Sequence, residues 1–195
     1  MLIHTCCADC LIKFYQTLDE KQKSTSQIFF YNPNIYPREE YMARLLAVKK
    51  IIKQLNIKNK IIVPNYLPQD YFHNLSKEKV IREIHENNKE QKCFTIISQT
   101  VRCPLCWELR LKALFERAKA NNIKLVSSTL FSSNYQNRSQ IKLIATRLSQ
   151  EFNINFYFPQ ISQNDRQQIN KGFYKQNYCG CLYSLIEKSR EKYEI

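Results

Sequence analysis

The sequence predicts an α/β fold, a single Rossmann-like domain over residues 1–195 with a parallel sheet flanked by helices. Short apolar segments alternate along the chain with longer segments whose apolar residues recur every three or four positions, the patterns of strands and amphipathic helices. The first two strands enclose a helix, and such a β-α-β unit implies parallel strands. A length of 195 residues, 44% of them hydrophobic, allows one domain with a full core and is short for two.

The first half of the chain is predicted to contain three strands and two helices. The second strand is rich in the apolar and aromatic residues that strands favour. The second helix carries one apolar stripe from Tyr41 to Leu55. The elements are a strand over Leu2–Thr5, a helix from Cys10 to about Leu18, a strand over Gln27–Tyr31, a helix over Arg38–Leu55 and a strand over Ile61–Val63.

The second half continues the alternation. A helix is predicted to begin at Cys103, because Pro104 is favoured at a first helical position, and to end near Asn121. The chain is polar and irregular between Pro159 and Tyr174. The other predicted elements are a helix around Lys77–Asn87, a strand over Lys124–Leu130, a helix over Asn137–Phe152, a strand over Asn155–Phe158 and a short helix after Cys181.

The chain is strongly basic. Its 30 Lys and Arg residues against 17 Asp and Glu give a net charge of +13. Such an excess suits a polyanionic partner, nucleic acid first of all. The alternative is the amino-acid bias of an AT-rich genome, since lysine outnumbers arginine and glycine is scarce.

Glycine scarcity excludes two large classes of enzyme. The chain has two glycines, Gly172 and Gly180. A phosphate-binding loop and a dinucleotide fingerprint each need several glycines in one turn. We therefore expect neither a nucleotide-hydrolysing nor an NAD-dependent enzyme of the usual kind.

The N-terminus and the hydropathy predict a cytoplasmic protein without a membrane segment. No apolar run approaches the roughly 20 residues of a membrane span. The chain reaches its first cysteines at residue 6, which leaves no room for a signal peptide. In the cytoplasm, grouped cysteines are typical of metal binding or catalysis rather than of disulfides.

Seven of the eight cysteines fall in three tight groups, and Cys93 stands alone. The first group follows the first strand, at the edge of a parallel sheet where active sites lie. The second is predicted to open a helix, where free N–H groups favour thiolate over thiol. The candidate metal ligands are Cys6, Cys7, Cys10, Cys103, Cys106, Cys179 and Cys181.

The number and spacing of the thiols favour an iron–sulfur cluster. A structural zinc site uses four ligands, usually in two pairs joined by a short span. Here the groups are far apart in sequence and seven thiols exceed four. A four-iron cluster uses four cysteines and leaves three for a second metal, redox exchange or substrate.

Several motifs occur in a fixed order from Leu2 to about Ser184. They are His4-x-Cys6-Cys7-x-x-Cys10, Asn32-Pro33-Asn34-Ile35 with Glu40, Tyr41 and Arg44, Cys103-x-x-Cys106, Ser128-Thr129-Leu130 with Ser133, and Phe173-Tyr174-Lys175-Gln176-x-Tyr178-Cys179-Gly180-Cys181-x-x-Ser184. This set resembles the cobalamin-independent epoxyqueuosine reductases of the QueH family. The resemblance implies a HUP-like fold without an ATP loop. It also implies a cytoplasmic iron–sulfur enzyme that reduces the epoxide of epoxyqueuosine in tRNA to queuosine.

The resemblance and the thiol count together predict a site. Four of the seven cysteines would hold a [4Fe-4S] cluster, and the others, with Asp9, a second mononuclear iron acting as Lewis acid. Asp9, Tyr174 and Tyr178 are the predicted proton donors. An electron donor is also required, of a kind that the sequence does not identify. The predicted tRNA contacts are Tyr36, Tyr41 and Tyr174 by stacking, Arg38, Arg44, Arg102, Arg110 and Arg138 at phosphates, and Lys175 and Gln176.

The sequence departs from the usual family pattern at two positions. The family commonly has proline in place of Asp9 and arginine in place of Lys175, whose ammonium lacks the bidentate fork of a guanidinium.

Two alternative functions are considered. The first, a cluster-containing tRNA sulfur-transfer enzyme, would need an ATP-binding glycine loop. A zinc-stabilised RNA-binding module would use four thiols and leave three unexplained.

Overall fold

A parallel sheet of five short strands forms the centre of the molecule. The computed structural model describes residues 1–57, 61–76, 97–133, 135–160, 172 and 174–193. Within these ranges the strand order is β3-β2-β1-β4-β5, and every pairing is parallel. The predicted α/β fold with a parallel sheet is confirmed. The strands are β1 (Leu2–His4), β2 (Gln27–Phe29), β3 (Ile61–Ile62), β4 (Leu125–Ser128) and β5 (Asn155–Phe156).

Helices flank the sheet, and two of them were not expected. The short α2 is entirely polar and has no buried residue, so it has no apolar stripe to predict it. The helix α4 lies in a region where the apolar residues do not recur at clear helical intervals, so the sequence did not predict it. The helices are α1 (Ala8–Gln16), α2 (Glu20–Thr25), α3 (Arg38–Gln54), α4 (Pro68–Ser76), α5 (Gln99–Ala120), α6 (Arg138–Phe152) and α7 (Leu182–Tyr193), with a 3₁₀ turn at Thr129–Ser132. The helix predicted around Lys77–Asn87 and Cys93 fall outside the described residues.

The start of α5 corrects one prediction. The helix begins at Gln99, four residues before Cys103, and Pro104 lies inside it. Arg102 already donates its backbone N–H to Ser98 at 3.0 Å, so the free N–H groups precede the cysteine pair. The proline was a misleading start signal, because it lies inside the helix beyond the first turn, at the cost of one backbone hydrogen bond.

The core has two layers, one on each face of the sheet. Successive residues of a strand point to opposite faces. Ile3 therefore packs with Leu11 and Phe14 of α1, whereas its neighbour Leu2 packs with Phe115 of α5. All five of these residues are fully buried.

The topology places a crevice at the carboxyl ends of β1 and β4. The chain winds outward from β1 to β2 and β3 on one side and to β4 and β5 on the other. In open parallel sheets a ligand site forms where the winding direction changes. Residues 5–10 and 129–133 leave the sheet at this point. None of the helices in the described ranges has both the length and the apolar character that a membrane span requires.

Candidate metal centre

Three buried thiols converge at the end of β1. The Sγ atoms of Cys6, Cys7 and Cys10 all lie within 4.8 Å of one another. Cys7 is the N-cap of α1, and its Sγ accepts the backbone N–H of Cys10 at 3.4 Å. The Sγ atom of Cys6 lies 3.6 Å from Oγ1 of Thr129, the first residue of the 3₁₀ turn that follows β4. We call these three cysteines the thiol triad.

The triad shares protons in a way that suits a cation. Hydrogen bonds from Cys10 and Cys7 hold the pKa of Cys6 well below its usual value. The hydrogen bond with Cys6 in turn raises the pKa of Cys10. A metal ion would replace the shared protons and let all three sulfurs act as thiolates.

The distances between the triad sulfurs fit a single metal ion better than a four-iron cluster. Sulfur ligands about 2.3 Å from one tetrahedral ion lie about 3.8 Å apart. The observed upper limit of 4.8 Å is close to this value. In a four-iron cluster each cysteine binds a different iron, which holds the sulfurs further apart.

The other four cysteines come from two distant segments of the chain. Cys103 and Cys106 lie in the second and third turns of α5, and Cys179 and Cys181 lie directly before α7. Cys106 and Cys181 share one buried cluster. Cys103, Cys179 and Cys181 line one cavity of about 480 Å³. We call these four the thiol quartet.

Local contacts give the cysteines of the quartet different pKa values. A hydrogen bond from Cys179, together with contacts with Ser184, outweighs burial and lowers the pKa of Cys181 to about 5. Ser184 donates its backbone N–H to this sulfur at 3.4 Å, so Cys181 caps α7 as Cys7 caps α1. Burial raises the pKa of Cys106 to about 12 and that of Cys103 above its usual value. The prediction that a helix start makes Cys103 a thiolate is therefore wrong.

Buried arginines surround both cysteine groups. Arg44, Arg102 and Arg110 are each at most 2% exposed. Burial opposes the charge of Arg110, but Cys106, Cys179 and Cys6 outweigh it and raise its pKa. Its Nη2, and the Nε of Arg102, have no hydrogen-bond partner among the residues that the structure describes. Orphaned donors on buried cations fit an anionic group such as an iron–sulfur cluster with four thiolates.

Arg44 fixes the Cys179–Cys181 segment. It pairs with Glu40 at 2.5 Å and donates to the carbonyl oxygen of Cys179 at 3.0 Å. Gly180 has φ +114°, and a Cβ there would lie 2.8 Å from Nη1 of Arg44. The glycine between the two cysteines is thus required by both its backbone angle and its contact.

The three predicted proton donors occupy different surroundings. The hydroxyl of Tyr174 donates to Glu40, and burial with this hydrogen bond raises its pKa to about 12. Tyr178 donates to the carbonyl oxygen of Tyr36 at 3.2 Å and lines the quartet cavity. Asp9 pairs with the buried Lys13 at 2.7 Å. Its carboxylate is not among the ligand atoms that converge with the triad.

The predicted tRNA contacts separate into surface and buried residues. Tyr36 is 40% exposed, and Arg138 begins α6 half-buried. Lys175 and Gln176 line a cavity of about 200 Å³ together with Asp9, Cys7 and Cys10. These residues and the exposed Tyr174 and Arg38 lie where an RNA contact is accessible.

Burial argues against the remaining predicted contacts. Tyr41 is 4% exposed and stacks on Tyr66 with 4.2 Å between ring centroids, and its edge meets Phe30. A ring as buried as this is not accessible to a base in this conformation. Arg44, Arg102 and Arg110 bind groups inside the protein instead of lying at the surface, so their interpretation as phosphate contacts is wrong for this conformation.

Several residues around the site escaped the sequence analysis. Lys13 reads as an ordinary charge of α1 until its pairing with Asp9 is seen. Tyr135 is 53% exposed and lines both cavities that contain cysteines. Gln136 lies next to it and reaches Cys179. The one available signal was position, since the polar run 132–138 follows β4 at the carboxyl edge of the sheet.

Comparison with known proteins assigns the family. The family model described as epoxyqueuosine reductase QueH matches residues 1–187. The relative of that name from Dehalococcoides mccartyi is 28% identical over 96% of this chain and 93% of its own length. Those from Thermotoga maritima and Acinetobacter baylyi are 28% and 30% identical, over 95% and 82% of their lengths. A match that takes in all three cysteine groups leaves one assignment: the chain belongs to the QueH family of epoxyqueuosine reductases.

Proposed function

We propose that this chain is an oxidoreductase that reduces the epoxide of epoxyqueuosine in tRNA to the alkene of queuosine, the last step of queuosine synthesis. One observation carries the proposal: seven free thiols come from three distant segments, and the buried Arg110 interacts with a cysteine of each segment. Relatives over nearly the whole chain bear the name of this activity. The reaction takes place in the cytoplasm on a tRNA substrate.

The two cysteine groups suggest two metal sites. The triad, with sulfurs close enough for a single ion, would hold a mononuclear iron. The quartet would hold a [4Fe-4S] cluster, with Arg102 and Arg110 balancing its negative charge. Asp9 would join the triad as an oxygen ligand once its carboxylate turns away from Lys13.

The reaction balances with two electrons and two protons. Both C–O bonds of the epoxide break, the carbons form a double bond and the oxygen leaves as water. When bound, the metals supply single electrons and a Lewis acid for the oxygen. Two protons remain for the protein side chains to deliver.

The geometry suggests sources for these protons. The Lys13–Asp9 pair borders the same cavity as Cys7 and Cys10, and its ammonium holds a proton there. Tyr178 lies at the quartet cavity. Tyr174 is joined to Arg44 through Glu40, and its raised pKa keeps the hydroxyl protonated at neutral pH.

The substrate would enter as an extruded anticodon nucleotide. Exposed tyrosines at the rim, Tyr36 and Tyr174, offer rings for a base. Lys175 and Gln176 offer polar contacts at the smaller cavity, and Arg138 a contact with a phosphate. The net charge of +13 attracts the RNA.

The test begins with metal analysis of protein purified without oxygen. We expect a brown protein with about five irons and about four sulfides per chain. Reduced protein should then convert epoxyqueuosine to queuosine in tRNA, measured by mass spectrometry of the nucleosides. Cys106→Ala should lose sulfide and activity, while Gln150→Ala on the outer part of α6 should retain both. A colourless protein with one zinc and no sulfide would contradict the proposal.

A further inference from the structure

Gln136 connects the buried core to a quartet sulfur. Its side chain lies between Trp107 of α5 and Cys179. The indole Nε1–H of Trp107 donates to Oε1 of Gln136. On the other side Nε2 of Gln136 lies 3.5 Å from Sγ of Cys179. One amide therefore makes two contacts of opposite polarity.

The indole decides which way the amide points. An indole N–H is a donor and cannot accept, so it must face the carbonyl oxygen of the glutamine. Trp107 is 3% exposed and packs in the core with Leu111, which fixes the ring. The amide NH₂ is consequently held toward Cys179 and cannot exchange places with the oxygen without leaving the indole unpaired.

We propose that Gln136 is a positioning residue of the metal centre whose N–H···S hydrogen bond to Cys179 raises the reduction potential of the cluster. The inference rests on the proposed function, in that Cys179 is taken as a cluster ligand. Reduction adds negative charge to the cluster and its sulfurs, and a donor to a ligand sulfur stabilises the more negative state.

The surroundings make this bond matter. Cys179 is half-buried in the wall of the quartet cavity, where a hydrogen bond is stronger than in water. An NH₂ group held by Trp107 offers a donor that requires no rearrangement when the thiolate binds a metal.

The experiment compares cluster potentials in intact protein purified without oxygen. Redox titrations followed by visible absorption and electron paramagnetic resonance would cover wild type, Gln136→Leu, Gln136→Glu and the control Gln99→Leu. Gln99 lines the same cavity, but its amide donates to Glu187 at 3.2 Å and not to a sulfur. Iron and sulfide contents are measured first in every sample.

The expected order of potentials is wild type and Gln99→Leu highest, Gln136→Leu lower and Gln136→Glu lowest. Glutamate keeps the acceptor for Trp107 and places a negative charge beside the sulfur. A full cluster with an unchanged potential in both Gln136 variants would overturn the inference and leave the proposed function intact. A wild-type protein without a cluster would overturn both. Loss of folding without a shift of potential would show a structural role only and would also overturn it.

Discussion

At the scale of single residues, the Cys179–Cys181 segment depends on its contact with one buried arginine. The guanidinium of Arg44 contacts the carbonyl oxygen of Cys179, the carboxylate of Glu40 and the ring of Tyr178, 5.6 Å from the ring centroid. A glycine between the cysteines lets the backbone approach this group closely. These contacts hold the segment against α3.

Gly180→Ala is expected to destabilise the protein and to lower its iron content. A Cβ would lie 2.8 Å from Arg44 Nη1, and φ +114° strains any L side chain by about 1–3 kcal/mol. The guanidinium would have to move, taking its hydrogen bond to Cys179 with it. Urea unfolding and metal analysis measure the two effects.

Gly172→Ala is the matched control. It has φ +97°, but a Cβ there meets nothing within 4 Å. We expect only the backbone strain, about 1 kcal/mol, and a normal iron content. Equal iron contents in the two variants would mean that the Arg44 contact does not position the cysteines.

The seven thiols could be predicted from sequence because they cluster in the chain itself, and their partners could not. In the sequence Arg110 resembles a phosphate contact and Gln136 an ordinary polar residue. Arg110 lies near Cys6, over 100 residues away in sequence, and Gln136 near Cys179, over 40 residues away. Tyr41 is the opposite case, because the sequence marked it as a base contact and the structure packs it inside the protein. An aromatic residue near a motif looks the same whether it stacks on a base or on Tyr66.

At the scale of elements, local chemistry alone determines α2. The side chain of Asp19 accepts the backbone N–H of Gln22 at 2.7 Å. In turn the side-chain oxygen of Gln22 accepts the backbone N–H of Asp19 at 3.1 Å. This capping box begins a helix that has no buried residue. The hydrophobic period therefore missed it, although the Asp-x-x-Gln pattern was available.

Asp19→Ala is expected to lower the free energy of unfolding by about 1 kcal/mol, because the first N–H groups of α2 lose their acceptor. Asp19→Asn should cost little, since asparagine caps as well as aspartate. Metal content should not change in either variant, because α2 leads into the amino end of β2, the edge opposite the cysteines. Equal stability of the alanine and asparagine variants would show that α2 frays in solution.

The limits of strands and helices were the least predictable part of the fold. The strand predicted over Lys124–Leu130 ends at Ser128, because the Ser128 hydroxyl accepts the N–H of Leu130 and turns the chain into the 3₁₀ segment. The order β3-β2-β1-β4-β5 was not predictable either. It is set by which helix covers which face, and that depends on packing between distant segments.

At the scale of the whole molecule, the positive charge should make tRNA binding depend on salt. We expect the affinity to fall at least about tenfold from roughly 50 to 200 mM salt, because bound phosphates release counterions. Lys175→Ala should reduce the slope by about one unit, since Lys175 borders the smaller cysteine cavity. Lys21→Ala on α2 is the control and should leave the slope unchanged. Equal slopes for wild type and Lys175→Ala would place the RNA elsewhere.

Metal should also join the C-terminal helix to the rest of the fold. Of the twelve residues of α7, Tyr183 is the buried one, so the helix gains little from packing. Its other connections include the pair between Glu187 and Arg102 at 2.5 Å, the hydrogen bond from Gln99 to Glu187 at 3.2 Å and the cysteines that precede it. A metal that binds Cys103, Cys106, Cys179 and Cys181 would close a long loop and hold α7 against α5.

Removal of the metal by oxidation and chelation is therefore expected to release α7 selectively. Hydrogen exchange measured by mass spectrometry should become at least about tenfold faster over Leu182–Tyr193, equivalent to about 1.4 kcal/mol of local stability. Peptides around the fully buried Val48 of α3 should change far less, because the apolar core on that face needs no metal. In the metal-bound protein Glu187→Gln should leave α7 protected, which separates the metal from the ion pair. Unchanged exchange in α7 after metal removal would mean that the contacts of Tyr183 and Glu187 suffice, and that the quartet does not depend on metal to bring its two segments together.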